Sequence, residues 1–181
     1  MIEIKKGAGF SRFESRFAEY LAGYWLARAG CEVAWADIAG IDVFALNHPS
    51  ERGTERLPTG FLGVQVKARA RRGGREGMAV KFQNLLSFEN ACSRWKAHPI
   101  MAFVADFPGR NALHILFMEL RTFKSIARHK PEKGEPEKGE WALPMNRESI
   151  ESHLGAGNIL SVTFSYPSGG WNANTTTNRR A

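Results

Sequence analysis

Two short runs of sequence decide how this chain folds. The first is Gly40-Ile41-Asp42-Val43-Phe44-Ala45-Leu46, and the second, after a polar stretch, is Gly63-Val64-Gln65-Val66-Lys67-Ala68. Both predict short β-strands, because β-branched and aromatic residues alternate with other types and Gly and Pro bound the runs. Side chains two residues apart on a strand share a face. Gln65 and Lys67 are therefore expected on one face of the second strand, with their immediate neighbours on the other.

The two predicted strands bring a distinctive chemical set together if they pair as neighbours. Asp42 then lies beside Gln65 and Lys67. A carboxylate, an amide oxygen and an ammonium group on one patch of sheet can hold a divalent metal ion and polarise a phosphate and its attacking water. We therefore treat this patch as the candidate functional site.

The composition is that of a soluble globular protein with a basic excess. The chain has 181 residues, which predicts one domain with a real hydrophobic core. The formal net charge of +7 favours a polyanionic partner, most simply nucleic acid. The alternative is a soluble protein that happens to be basic, and charge alone does not separate the two.

Cysteine usage and hydropathy indicate a cytoplasmic protein. Cys31 and Cys92 are far apart and form no CxxC, so they predict buried thiols rather than a zinc site or a disulfide framework. The N-terminus lacks the apolar run of a signal peptide. No stretch reaches the roughly 20 apolar residues that span a bilayer, so we expect no membrane partner.

The strongest helix signal covers residues 10–29. Aromatic residues recur there at steps of three and four, from Phe10 to Trp25. Glu19 lies on the side away from this aromatic stripe, among small residues, and a carboxylate buried there needs a partner or a metal. The alternative is that Glu19 is the exposed edge of an amphipathic helix. The aromatic residues fit either a hydrophobic core or the interface of a homodimer.

Strand and helix patterns continue along the rest of the chain. Residues 99–106 form an apolar run typical of a central strand covered on both faces. We predict further strands at 31–36, 78–82, 112–117 and 158–166, and helices at 84–95, 119–128 and 147–154. Within a single domain at 1–166, the repeated mixed-charge sequence at 130–140 predicts an exposed loop. The Gly-, Asn- and Thr-rich residues 167–181 predict a flexible tail.

A cluster of arginines follows Lys67 directly. It comprises Arg69, Arg71, Arg72 and Arg75, with two glycines between them. Arginine suits bidentate contact with phosphate, so we predict that this segment binds a nucleic-acid backbone. The alternative is a solvated hairpin tip.

The order of these elements resembles the PD-(D/E)XK nuclease superfamily over roughly residues 10–120. It is most similar to branches with QxK in place of ExK, such as Mrr-like restriction endonucleases, Holliday-junction-resolvase-like proteins and uncharacterised prokaryotic domains with a VQVK strand. The stretches that carry the resemblance are Ala18-Glu19-Tyr20-Leu21-Ala22, Gly40-Ile41-Asp42 and Val64-Gln65-Val66-Lys67. The resemblance implies an α/β fold with a restriction-endonuclease-like core, a central mixed sheet flanked by helices.

The resemblance also assigns roles. Asp42 corresponds to the metal-binding aspartate, Lys67 to the catalytic lysine and Glu19 to the helix-borne acid. Gln65 stands where the acid of ExK is usual, which lowers the negative charge around a bound Mg²⁺ or Mn²⁺. The Gln65 carbonyl oxygen can still coordinate, and the main-chain carbonyl of Val66 completes the predicted ligand set.

Three hypotheses stay open at this point. The first is a metal-dependent DNA endonuclease that leaves a 5′-phosphate, in a prokaryotic restriction or DNA-processing role. The second is a catalytically weak or inactive subunit of the same fold that binds DNA or assembles a larger system. The third is a basic domain that binds only protein, with Asp42 and Lys67 as a structural ion pair.

Overall fold

The computed structural model describes residues 8–48, 55–70, 77–107, 112–132, 135–145 and 147–165. In chain order, its elements are α1 (Ala8–Arg28), β1 (Glu32–Ile38), β2 (Ile41–Asn47), β3 (Gly60–Ala70), β4 (Gly77–Lys81), α2 (Phe82–Trp95), β5 (His98–Phe107), β6 (Ala112–Glu119), α3 (Leu120–Ile126), β7 (Arg128–Glu132), β8 (Glu135–Pro144), α4 (Arg147–Gly155) and β9 (Ile159–Ser165).

A six-stranded mixed sheet forms the centre of the protein. Its strand order is β1-β2-β3-β5-β6-β9. The strands β3 and β5 run parallel, whereas the other neighbours pair antiparallel. A parallel pair needs a crossover connection, and α2 lies in the segment that supplies it. The predicted class is confirmed: the protein is α/β, with a central mixed sheet flanked by helices.

Both faces of this sheet are buried. On one face, Ala18 and Leu26 of α1 pack with Val43 and Val64. On the other, Phe88 of α2 belongs to a second cluster that includes α3 and the opposite side of β5. The apolar run of β5 is buried throughout residues 100–105. The prediction of a central strand covered on both faces is therefore confirmed.

Helix α1 contacts the sheet through its small residues rather than its aromatic stripe. Ala18, Ala22 and Leu26 are buried, whereas Phe17, Tyr20 and Tyr24 are exposed. Small side chains let a helix approach a sheet closely, and the aromatic rings are then left on the outward side. Of the two alternatives for the aromatic residues, a place in the core is therefore wrong for these three.

Helix α2 is correctly placed, but its buried face is narrower than predicted. Leu85, Phe88 and Cys92 are buried, in agreement with the pattern. Leu86 and Trp95, which the pattern also turns inward, are exposed. Leu86 lies about 100° around the helix from Leu85, beyond the stripe that faces the sheet.

The predicted loop at 130–140 is wrong, because residues 130–132 and 135–140 lie in two paired β-strands. Strands β7 and β8 pair antiparallel, and β4 completes a second sheet of order β4-β8-β7. Pro131 lies on the edge strand β7, where a missing N–H is tolerated. Gly139 opposes Pro131 with φ +123°, and a Cβ there would lie 2.3 Å from the Lys130 carbonyl oxygen. The close pairing of β7 with β8 therefore requires glycine at position 139.

The remaining predictions on the organisation of the chain are not tested by the described residues. The division into one domain at 1–166 stays a prediction, and residues 167–181 lie outside the described residues. None of the described helices has the length and apolar character to cross a membrane.

Candidate metal-binding site

The strands β2 and β3 pair as neighbours, as the sequence predicts, and then separate at Asp42. Their antiparallel ladder runs from Asn47↔Gly60 to Val43↔Val64. Past that pair, the main-chain N–H of Val66 donates to Oδ2 of Asp42 over 2.6 Å. The Asp42 carboxylate thus accepts the hydrogen bond from β3 that a main-chain carbonyl of β2 would accept if the ladder continued. This geometry fixes the Asp42 carboxylate against the strand that carries Gln65 and Lys67.

Burial makes the Asp42 carboxylate unusually basic. Its pKa is raised from 3.8 to about 6, chiefly by the loss of solvent and to a smaller extent by the negative charges of Glu19 and Asp37. The Val66 N–H and the positive charge of Lys67 act in the opposite direction. Because desolvation outweighs these partners, the ionised form is incompletely compensated. A further positive charge beside Asp42 would stabilise it.

Lys67 lies in the same electrostatic environment. Burial lowers the pKa of its ammonium group, whereas the charges of Asp42 and then Glu19 raise it. The contacts of the described residues include no Asp42–Lys67 ion pair within 4.0 Å. The amine is therefore close enough for the charges of Asp42 and Glu19 to affect its pKa. It does not form the direct ion pair with Asp42 that the protein-binding hypothesis requires.

Gln65 presents a buried oxygen that has no hydrogen-bond partner among the residues that the structure describes. Its side chain is 2% exposed, and its Nε2 donates to the Gly40 carbonyl oxygen over 3.0 Å. This contact fixes the orientation of the amide, because the reverse orientation would set two carbonyl oxygens against each other. Oε1 is left buried and unsatisfied. A buried acceptor without a partner costs about 1–3 kcal/mol, so a donor or a cation is expected there.

Gly40 makes this arrangement possible. It has φ +88°, a conformation that other residues adopt with strain. A Cβ at this position would lie 2.9 Å from Gln65 Nε2 and 3.6 Å from the Cβ of Phe88. Because Gly40 has no side chain, the turn before β2 can place its main-chain carbonyl within hydrogen-bond distance of the Gln65 amide.

Glu19 joins the site from α1, held by a partner that sequence reasoning missed. Arg16 Nη1 donates to Glu19 Oε2 over 3.0 Å, and Arg16 Nη2 lies 3.6 Å from Asp37 Oδ2. The Glu19 charge acts on both Asp42 and Lys67. The i,i+3 spacing of Arg16 and Glu19 could have revealed their pairing. Nothing local marked Asp37, whose position depends on the packing of β1 against α1.

These groups suit a hard divalent cation. Within the described ranges, no group of three His, Cys, Asp or Glu side chains is placed to hold a metal ion. The available donors are instead the Asp42 carboxylate and the Gln65 Oε1, with Glu19 nearby, and oxygen ligands of this kind are those that Mg²⁺ and Mn²⁺ prefer. An unsatisfied oxygen beside a destabilised carboxylate fits a cation. The Val66 carbonyl stays a predicted ligand.

The predicted phosphate-binding arginines fall largely outside the described structure. The main chain of Arg69 belongs to β3, where it pairs with Ala105. The Arg69 side chain and residues Arg71, Arg72 and Arg75 lie outside the described residues. Their role in binding nucleic acid therefore stays a prediction.

Similarity to known proteins is found at the level of overall structure. No protein-family model matches the sequence, and no curated protein matches it. Among solved structures, the chain is similar to Hjc, a Holliday junction resolvase from Archaeoglobus fulgidus, at 12% sequence identity. The match covers 77% of this chain and 89% of that chain, with a TM-score of 0.48. We base the functional proposal on the residues of this chain.

Proposed function

We propose that this protein is a divalent-metal-dependent DNA endonuclease that hydrolyses phosphodiester bonds. The observation that carries the proposal is the buried Gln65 Oε1, to which no described residue donates a hydrogen bond. It lies on the strand whose Val66 N–H holds the Asp42 carboxylate, and the pKa of that carboxylate is raised to about 6. Asp42, Gln65 and Glu19, with the Val66 carbonyl, are the residues that would hold Mg²⁺ or Mn²⁺. When bound, such an ion supplies Lewis-acid chemistry to a phosphate and to a nucleophilic water.

The side chains of the site divide the remaining work. The Val66 N–H orients the Asp42 carboxylate, and the Gly40 carbonyl orients the Gln65 amide. Lys67 is desolvated and forms no ion pair with a described residue, so its ammonium group is available to orient water or to stabilise negative charge on the phosphate. In a desolvated site this stabilisation exceeds what the same charge provides in bulk water.

Binding of DNA rests on the charge of the chain. The net charge of +7 favours a polyanion, and Arg69, Arg71, Arg72 and Arg75 follow the site directly in sequence. Two copies acting together would cut both strands, so a homodimer remains part of the proposal. A restriction, defence or DNA-processing role in a prokaryotic cell follows from the resemblance to Mrr-like nucleases.

Cleavage assays test the proposal directly. The purified chain is incubated with plasmid, linear, single-stranded and branched DNA in Mg²⁺, in Mn²⁺ and in EDTA. We expect metal-dependent cleavage that Asp42→Asn and Lys67→Met abolish. Glu89→Gln is a matched control, because Glu89 pairs with Lys124 at the surface, 2.9 Å away. Cleavage that persists in the two site variants, or no cleavage of any substrate, refutes the proposal.

A second candidate function is a DNA-binding or assembly subunit without catalysis. The amide at Gln65, together with the lack of a three-residue His, Cys, Asp or Glu cluster in the described part of the chain, favours it. This candidate predicts no uptake of Mn²⁺ in calorimetry and salt-dependent DNA binding that Asp42→Ala leaves intact. Calorimetry therefore separates the two functions without a cleavage assay.

A further inference from the structure

Helix α1 and strand β1 carry an exposed aromatic surface that the proposed chemistry does not use. Phe17, Tyr20 and Tyr24 follow one another at helical spacing, and Trp35 on β1 contacts Tyr20. Their exposed fractions are 52%, 59%, 51% and 53%. We call these four residues the aromatic platform. Monomeric proteins rarely expose neighbouring large apolar side chains, and where they do, the surface is commonly a binding site.

The position of Trp35 depends on a glycine inside a helix. A Cβ at Gly23 would lie 2.1 Å from Cη2 and 2.4 Å from Cζ3 of Trp35, so the indole rests directly on the main chain of α1. The ring also contacts Tyr20 edge to face, with centroids 5.0 Å apart and planes at 74°. Glycine weakens a helix interior. The helix therefore gives up intrinsic stability at the position where an exposed indole is held.

The aromatic platform borders the candidate metal-binding site. Tyr20 follows Glu19 in the helix, and Asp37 lies two residues beyond Trp35 on β1. Arg16 contacts both acids and is largely exposed. Arg16 is already paired with Glu19 and Asp37, so the rings of the platform supply stacking for a base, and contact with the phosphate is left to the basic excess of the chain.

We propose that the aromatic platform stacks unpaired bases of DNA beside the candidate metal-binding site. The placement rests on the proposed function, whereas the stacking itself does not. Charge complementarity supports this occupant, since the chain carries a net charge of +7 and DNA is a polyanion. A second copy of the chain fits less well, because the Arg16, Glu19 and Asp37 charges adjoin the platform and charged residues are depleted from the centres of protein interfaces.

The proposal defines the substrate as DNA with unpaired nucleotides, either single-stranded or branched. Bases inside a duplex are already stacked on each other, so their π-faces are not available to the platform. The contacts from aromatic rings should therefore raise affinity for single strands and leave affinity for a blunt duplex unchanged. Binding to the phosphate backbone contributes to both.

Fluorescence anisotropy tests this prediction in EDTA, where no cleavage occurs. The full chain is titrated into labelled oligothymidine of about 15 nucleotides and into a blunt duplex of equal length. We expect Trp35→Leu to weaken single-strand binding on the order of tenfold and to leave duplex binding unchanged. Trp35→Phe should restore most of the affinity, since it keeps an aromatic face.

Two further variants sharpen the test. Gly23→Ala removes no aromatic group but displaces the indole, so it should weaken single-strand binding as Trp35→Leu does. Trp95→Leu is the matched control, because Trp95 is 47% exposed and lies on α2, beside Phe44. Its loss should leave binding to both oligonucleotides unchanged.

Other outcomes overturn the proposal. Unchanged single-strand binding in Trp35→Leu refutes stacking, and an equal loss for single strand and duplex refutes the specificity for unpaired bases. If Trp35→Leu instead changes the oligomeric state in sedimentation velocity and leaves DNA binding intact, the platform joins copies of the chain. Because these measurements need no metal, their result is independent of whether the protein cleaves DNA.

Discussion

Replacing Asp42 by Asn should make the metal-free protein more stable at neutral pH. The carboxylate is buried, and its pKa rises from 3.8 to about 6, so ionising it in the folded state is unfavourable. A shift of about two units corresponds to about 3 kcal/mol. Asparagine keeps an oxygen for the Val66 N–H and carries no charge. Lys67 loses a compensating partner in the variant, so we expect a net gain of about 1–3 kcal/mol at pH 8.

The pH dependence of this gain follows from the direction of the shift. A group whose pKa is raised by folding contributes its full stability below its unfolded pKa and loses it as the pH rises through its folded pKa. Wild-type stability is therefore penalised progressively from about pH 4, and the penalty is complete above about pH 7. The stability gain of Asp42→Asn should fall to about half of its full value near pH 5.

Urea unfolding in EDTA, followed by circular dichroism at pH 5 and pH 8, measures both quantities. Asp37→Asn is the control, because Asp37 is highly exposed and pairs with Arg16 at the surface. Its effect should stay within about 1 kcal/mol. If Asp42→Asn is no more stable than the wild type at pH 8, or if its gain does not depend on pH, the carboxylate is not held in a desolvated environment and the reasoning fails.

Three further predictions concern the surroundings of the carboxylate. Gln65→Glu should bind Mn²⁺ at least about tenfold more tightly in calorimetry and should be less stable in EDTA, because two like charges then share a desolvated site; unchanged affinity would place Gln65 outside the ligand set. Gly40→Ala should lower the free energy of unfolding by more than about 1 kcal/mol in urea, because φ is +88° and the new Cβ meets Gln65 Nε2; a neutral effect would contradict that geometry. Arg71→Ala with Arg72→Ala should weaken DNA binding and lower the slope of log affinity against log salt by about two; an unchanged slope in anisotropy titrations would exclude both from phosphate contact.

The strands of the site could be predicted because their signals are local. Alternation in residues 40–46 and 63–68 identifies β2 and β3, and two consecutive strands with no predicted helix between them are expected to pair antiparallel. Asp42, Gln65 and Lys67 follow from strand periodicity alone. The hydrogen bond from Gln65 to Gly40 could not be predicted, because it depends on how the turn before β2 folds back over the sheet.

The face that α1 buries was beyond the reach of sequence periodicity. A stripe of aromatic residues and a stripe of small residues run along the same helix, and each is apolar. Which stripe meets the sheet depends on how closely the two can approach, which is a property of the assembled fold. The strands β7 and β8 were missed for a related reason. A mixed-charge repeat has no local strand signal, and its two halves become strands only by pairing with each other and with β4.

The parallel contact between β3 and β5 divides the central sheet into two parts. Strands β1, β2 and β3 form a continuous antiparallel meander, and all the residues proposed to bind metal lie on that meander or on α1. Strand β5 pairs with the other edge of β3. The crossover that joins them is long, so its closure costs more conformational entropy than a short turn would. The early part of the polypeptide thus carries the residues proposed to bind metal, and the later part supports it. Sequence change beyond β5 can accordingly alter the outer strands while β1, β2 and β3 keep their own pairing.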